Sequence, residues 1–163
     1  MQNIECSVKI LSKQEIFKDY KKNNPNIFLL SAFTILETEE LIWQLNYYNP
    51  DKDNLVTFTP VKNKRTEEQK LFKESKDIQK LNLKNKKINI DKALDIITKL
   101  LNEKYSSEKI NKEIITICTI KDKTLWNFML LTSSLKTINI KLDALTYEII
   151  SQELIPLTSL RKN

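Results

Sequence analysis

The chain contains no glycine and no histidine. Glycine ordinarily supplies about 7% of residues, and its loss excludes whole classes of site. A P-loop or a dinucleotide-binding turn brings backbone against phosphate where a Cβ would clash, so neither can be built. Without histidine there is no Ser-His-Asp or Cys-His system, no HExxH zinc helix and no base titrating near neutrality. Turns needing positive φ fall to Asn and Asp, as in Asn23-Asn24 and Asp51 to Asn54. An AT-rich source or a designed or selected sequence would each leave this composition. Cysteine is scarce too: Cys6 and Cys118 are too few for a disulfide scaffold or a zinc site. Their apolar, strand-like surroundings predict buried free thiols. No run approaches the ~18 apolar residues of a membrane span. The start, MQNIECSVKI, lacks the basic-then-apolar order of a leader. The compartment is cytoplasmic if the chain is complete and extracytoplasmic if a leader was removed.

What is present is a 163-residue chain, 40% apolar, enough to bury a core. The formal charge of +6 is unevenly placed: residues 1–60 carry −2, residues 61–90 carry +6 and residues 91–163 carry +2. A basic segment between two near-neutral parts is the pattern of a connector.

The first part opens with a strand-like run, Glu5 to Leu11. Ser12 and Glu15 form a capping box ahead of Ile16, Phe17 and Tyr20, one face of a short helix stopped by Asn23-Asn24-Pro25. Asn26 to Leu36 is apolar on both faces and predicts a strand buried on both sides. Leu41, Trp43, Leu45 and Tyr47 share a face of the next strand, and Leu55 to Thr59 completes a meander after the turn Asn49 to Asn54. In the connector, Thr66 and Gln69 suggest a cap, and Leu71, Phe72, Ile78 and Leu81 recur near helical spacing. The second part then repeats the order. Asp91 caps a helix striped by Ala93, Leu94, Ile97, Leu100 and Leu101. The strands Glu113 to Ile120, Thr124 to Thr132 and Thr137 to Asp143 follow, with a short fourth strand or strand extension, Glu148 to Leu154.

Set on their tryptophans, LIWQLNYYNPDKDNLVTF and TLWNFMLLTSSLKTINIK align without a gap, which suggests an internal duplication. The expected fold is α+β: two repeated units, each a helix on a three- to four-stranded antiparallel meander sheet, joined by a basic helical connector. Residues 1–60 form the first unit, 61–87 the connector, 88–156 the second unit and 157–163 a basic tail.

The second unit ends Asp143-Ala144-Leu145-Thr146-Tyr147-Glu148-Ile149-Ile150. This order of helix, meander and closing motif resembles the PepSY domain, whose last strand carries Asp-Ala-x-Thr-Gly-Glu followed by aliphatics. Asp143, Ala144, Thr146, Glu148 and Ile149 match; Tyr147 stands where the family has Gly, which puts the tight turn in question. The resemblance covers residues 88–154, more faintly 5–60. It implies a small module, usually outside the cytoplasm, that binds and inhibits peptidases or regulates partner proteins, and it carries over no catalytic residue.

The residues themselves also point away from an enzyme. Glu37, Glu39 and Glu40, and Asp51 with Asp53, sit in polar turns where water keeps both members of a pair ionised. No catalytic, cofactor-binding or metal-ligating residue is expected. Trp43 and Trp126 are expected as core plugs. Tyr48, on the opposite face from Trp43, is the aromatic candidate for a protein partner, with Phe28 and Leu30 of the doubly apolar strand. The expected function is therefore a non-catalytic protein-binding or regulatory module, of peptidase-inhibitor type through the resemblance. The alternative is electrostatic binding of nucleic acid through Lys62, Lys64, Arg65, Lys84, Lys86 and Lys87; acidic residues between them and the lack of interleaved aromatics favour a solvated face.

Overall fold

The computed structural model describes residues 3–36, 41–70, 78–83 and 88–161. Two helices come first, α1 (Ile4–Lys13) and α2 (Glu15–Asn23). Strands β1 (Phe28–Leu36), β2 (Gln44–Asn49) and β3 (Asn54–Thr59) form a meander, and two short strands follow, β4 (Lys64–Arg65) and β5 (Gln69–Lys70). Helix α3 (Ile90–Lys104) precedes β6 (Ile110–Ile120), β7 (Lys123–Thr132), β8 (Lys136–Asp143) and β9 (Ile149–Pro156).

The two-unit architecture expected from the sequence is wrong. All nine strands belong to one antiparallel sheet, ordered β4-β3-β2-β1-β6-β7-β8-β9, with β5 also on β3. The join is β1 with β6, running from Ser31 opposite Cys118 to Leu36 opposite Glu113. The physical reason lies in β1 itself. A strand apolar on both faces cannot lie at the edge of a small sheet without leaving its backbone polar groups and apolar side chains in water, so it becomes a central strand.

One core runs the length of the sheet. The three helices lie on one face, where Leu11, Phe17, Ala93, Ile97 and Leu100 meet Ala32, Leu45, Phe58, Ile115, Phe128 and Ile140. Trp43, just before β2, and Trp126 of β7 are both 1% exposed, and their rings meet with centroids 6.2 Å apart. They are core plugs as expected, and they plug the same core.

Four local expectations also fail. Residues Glu5 to Leu11 are helical: Ile4, Ser7 and Leu11 make the buried stripe, and the Asn3 side chain caps Cys6 N–H at 2.7 Å. Ser7 in that stripe hid the helical period. Cys6 consequently points to solvent, and only Cys118 is half-buried, its thiol pushed up by burial; both are free. Where it is described, the connector is not the expected amphipathic helix; its helical residues belong to the single 3-10 turn Pro60–Lys62. Residues 66–70 are extended onto β3, and residues 78–83 carry no helix, though Leu81 enters the core and its N–H donates to Leu29 O at 2.8 Å. Leu71 and Phe72 lie outside the described residues. Finally, the cap of α3 is Asn89, whose Oδ1 accepts from Asp91 and Lys92 N–H, not Asp91.

The missing glycine is felt at the turns. Asp53, Asn63 and Asp122 take positive φ, as short polar side chains tolerate, but so do Lys121, Leu135 and Tyr147. Lys121 and Asp122 occupy both places of the two-residue turn from β6 to β7, where Asn-Gly is the usual choice. Asn24 does not, with φ −138°.

Candidate binding edge

The sheet positions two surfaces that the helices leave open. The first is the face away from the helices. The register places Phe28, Ser31, Phe33 and Ile35 of β1 there, because a bulge at Leu30 shifts the alternation that holds in the rest of the strand. Phe28 and Tyr48 are cross-strand partners whose rings pack edge-on at 5.6 Å. Tyr48 is buried, however, and its hydroxyl donates to Asp53 Oδ1 at 2.7 Å, which raises its pKa. The phenol expected to face a partner is thus tied to its own turn, while Phe28 and Leu30 are half-buried. The centre of this face is polar: Asn46 Nδ2 donates to Ser31 Oγ and Thr57 Oγ1 donates to Asn46 Oδ1.

The second surface is the edge of the sheet at β9. This strand pairs with β8 over seven positions, from Lys136 opposite Pro156 to Leu142 opposite Ile149, with Ile150 as the extra residue of a bulge. Leu157 N–H donates to Leu135 O at 2.9 Å, which sets the phase of the ladder. Alternation then makes Ser151, Glu153 and Ile155 the residues bonded to β8, while Gln152 and Leu154 turn their N–H and C=O outward. Pro156 falls in an outward position, where its missing N–H costs no bond to β8. Among the described residues seven large apolar side chains are exposed, and four of them, Leu145, Ile149, Ile150 and Leu154, lie on or just before β9 at 39–48% exposure.

The approach to β9 is a built turn. Asp143 Oδ1 accepts from Leu145 N–H at 2.9 Å and Thr146 N–H at 3.0 Å, and Tyr147 N–H donates to Asp143 O. These bonds to Thr146 and Leu145 outweigh desolvation and hold the Asp143 carboxyl below its ordinary range. Tyr147 takes φ 63° where glycine would be unstrained. Its ring lies under Lys92 Nζ at 4.4 Å, and its hydroxyl accepts from Asn89 N–H, tying the turn to the start of α3.

The opposite edge is closed. Glu68 accepts from Tyr20 Oη at 2.8 Å, Asn54 Nδ2 at 2.7 Å and Lys52 Nζ at 3.3 Å, fastening the chain beside β5 to α2 and β3. Lys62, Lys64 and Arg65 are exposed here, with Arg65 over the Tyr20 ring at 5.3 Å. The other basic candidates, Lys84, Lys86 and Lys87, lie outside the described residues, as do Glu37, Glu39 and Glu40.

Among the described residues no group of three His, Cys, Asp or Glu could hold a metal. The shifted carboxylates are single and scattered: Glu68 and Glu108 lowered chiefly by hydrogen bonds, Glu113 raised by burial. A groove of about 580 Å³ between α1 and residues 80–83 is lined by Val8, Leu81 and Leu83 together with Glu5, Lys9, Lys80 and Asn82. Sequence reading missed the β9 edge because it took Glu148 to Leu154 as a short fourth strand or strand extension within a separate unit. The signal was there in IISQELIP, which has a lone charge and a proline at its end.

No family model matches this chain, and no curated protein sequence matches it. Its fold is similar to that of a protein from Clostridium difficile 630 described as a "putative lipoprotein", with a TM-score of 0.51 and 13% identity over 86% of this chain and 90% of that one. At that identity the likeness concerns the fold. Among the described residues no helix is long and apolar enough to cross a membrane.

Proposed function

We propose that this chain is a non-catalytic protein-binding module that accepts an extended strand along β9. The supporting observation is the state of that edge: outward amides at Gln152 and Leu154, flanked by exposed Ile149, Ile150 and Leu154, with Glu153 the one charge on the strand. An edge of this length presents a template for strand addition, in which main-chain bonds supply affinity and alternate side chains supply selectivity. A regulatory role of PepSY type belongs to the same reading, supported by the turn from Asp143 to Glu148. So does an extracytoplasmic setting, supported by the lipoprotein description of the structural neighbour.

Selection of displayed eight-residue peptides on the full chain tests the reading. Segments of alternating apolar residues should be enriched on the wild type and lost on Leu154→Lys, which places a charge on the edge without disturbing the core. Enrichment indifferent to Leu154→Lys, or none, would sink it.

A further inference from the structure

We infer that the strand received by β9 is the β9 of a second copy, paired antiparallel about a two-fold axis at Gln152. This rests on the reading of β9 as a docking edge and names the occupant. The outward groups belong to Gln152 and Leu154, so a new ladder must bond through those residues. A two-fold at Gln152 pairs it with its own copy, Gln152 N–H to Gln152 C=O in both directions. The same axis sets Leu154 opposite Ile150 of the second copy, apolar against apolar, and Glu153 opposite Ser151. A two-fold at Glu153 would also bond through the outward groups, but it would set the two Glu153 carboxylates opposite one another, which is unfavourable. The single charge of the strand thus counts against the register centred on Glu153.

The geometry suits self-pairing in two further respects. Leu154 and Ile149 are 41% and 39% exposed at this edge, apolar surface that a second copy would cover. Lys136, opposite Pro156, is already engaged by Glu108 at 2.8 Å, and the exposed Lys141 lies opposite Ser151, in the same cross-strand row as Glu153 of the second copy. Each copy would present its helices on the same side, and the sheet would continue from one β4 edge to the other with both ends closed by the Glu68 network.

Sedimentation equilibrium of the full chain over micromolar to millimolar concentration is the test, with far-UV circular dichroism confirming that each variant is folded. The wild type should dimerise, and Leu154→Lys should be a monomer. Position 151 reads the register. Ser151→Lys, facing Glu153 of the second copy twice, should tighten the dimer on the order of tenfold, and Ser151→Glu should loosen it by a similar factor. A chain monomeric at every concentration overturns self-pairing, and so does a dimer whose affinity ignores Ser151→Lys, Ser151→Glu and Leu154→Lys. A monomer that still selects peptides at β9 overturns the self-pairing alone and leaves the docking edge standing; a monomer that selects none overturns both.

Discussion

The two ends of the sheet are finished in opposite ways. At one end, β4 and β5 contribute two residues each, carry Lys64, Arg65 and Lys70, and are fastened by a carboxylate holding three donors. Behind them Phe17, Tyr20, Tyr47 and Phe58 pack ring against ring at 5.0–5.7 Å. Short strands and basic side chains are how sheets prevent unwanted pairing. At the other end β9 is eight residues long, nearly uncharged and aliphatic. Among the described residues one edge is fastened by many groups and the other by none, the contrast that the proposed docking role of β9 would account for.

Substitutions on the two sides should separate these roles. The largest effect is expected at the closed end. Phe58→Ala removes a fully buried ring that touches three aromatics, and should cost about 3–5 kcal/mol in denaturant unfolding. Leu154→Ala, measured in dilute protein, should stay within about 0.5 kcal/mol. Comparable losses at both positions would break the comparison, because they would make β9 part of the core.

Next in size is the carboxylate staple. Glu68→Ala leaves Tyr20 Oη and Asn54 Nδ2 without their acceptor and should cost about 1 kcal/mol, since the site is partly solvated. The sign with pH follows from the lowered pKa. A carboxylate whose folded pKa lies below its unfolded value stabilises above the unfolded value, and that contribution is lost as pH falls through the folded one. The gap between wild type and Glu68→Ala should therefore be full at pH 7 and close in acid below the ordinary value of 4.5. A gap that persists at pH 2 would mean that the staple acts through packing.

At the turn beside the open end the change should be stabilising. Leu135 takes φ 58° with its side chain 70% exposed, so it bears the left-handed strain and buries little in return. Leu135→Gly should raise stability by about 1 kcal/mol, the relief of strain less the added freedom of the unfolded chain. No gain in the melting curve would show that neighbours hold the turn without strain.

Much of the element order could be read from periodicity, and the reasons for the failures are specific. Strands β2, β3, β6, β7 and β8 follow alternation that survives intact in the chain. Helix α1 was hidden by Ser7, a polar residue whose hydroxyl is buried with no hydrogen-bond partner among the described residues. The two-unit fold was drawn from local patterns, which say nothing about the β1–β6 pairing across some eighty intervening residues; only the double apolarity of β1 hinted that it needed neighbours on both sides. Tyr48 was assigned to a binding face by alternation alone, and the bond to Asp53 that buries it depends on the conformation of its own turn. The β9 edge is a matter of sheet order, which side-chain period does not encode.

The smallest effect concerns the turn that delivers β9 to its place. Tyr147 holds φ 63° while its ring contacts Lys92 and its hydroxyl meets Asn89. Two costs are mixed in any single substitution there: the lost ring and the backbone strain. Tyr147→Ala loses the ring and keeps a Cβ in the left-handed region; Tyr147→Gly loses the ring and removes the Cβ. Both should be less stable than the wild type if the ring contributes more than the strain. Their difference isolates the strain, and Gly should exceed Ala by about 0.5–1 kcal/mol. The closed end offers a control in Asn63, whose φ of 47° falls on a residue that tolerates it. Asn63→Gly should change stability by no more than a few tenths of a kcal/mol. If Gly at 147 is no better than Ala, the turn at the open end is as relaxed as the one at Asn63, and the two ends of the sheet do not differ in backbone strain.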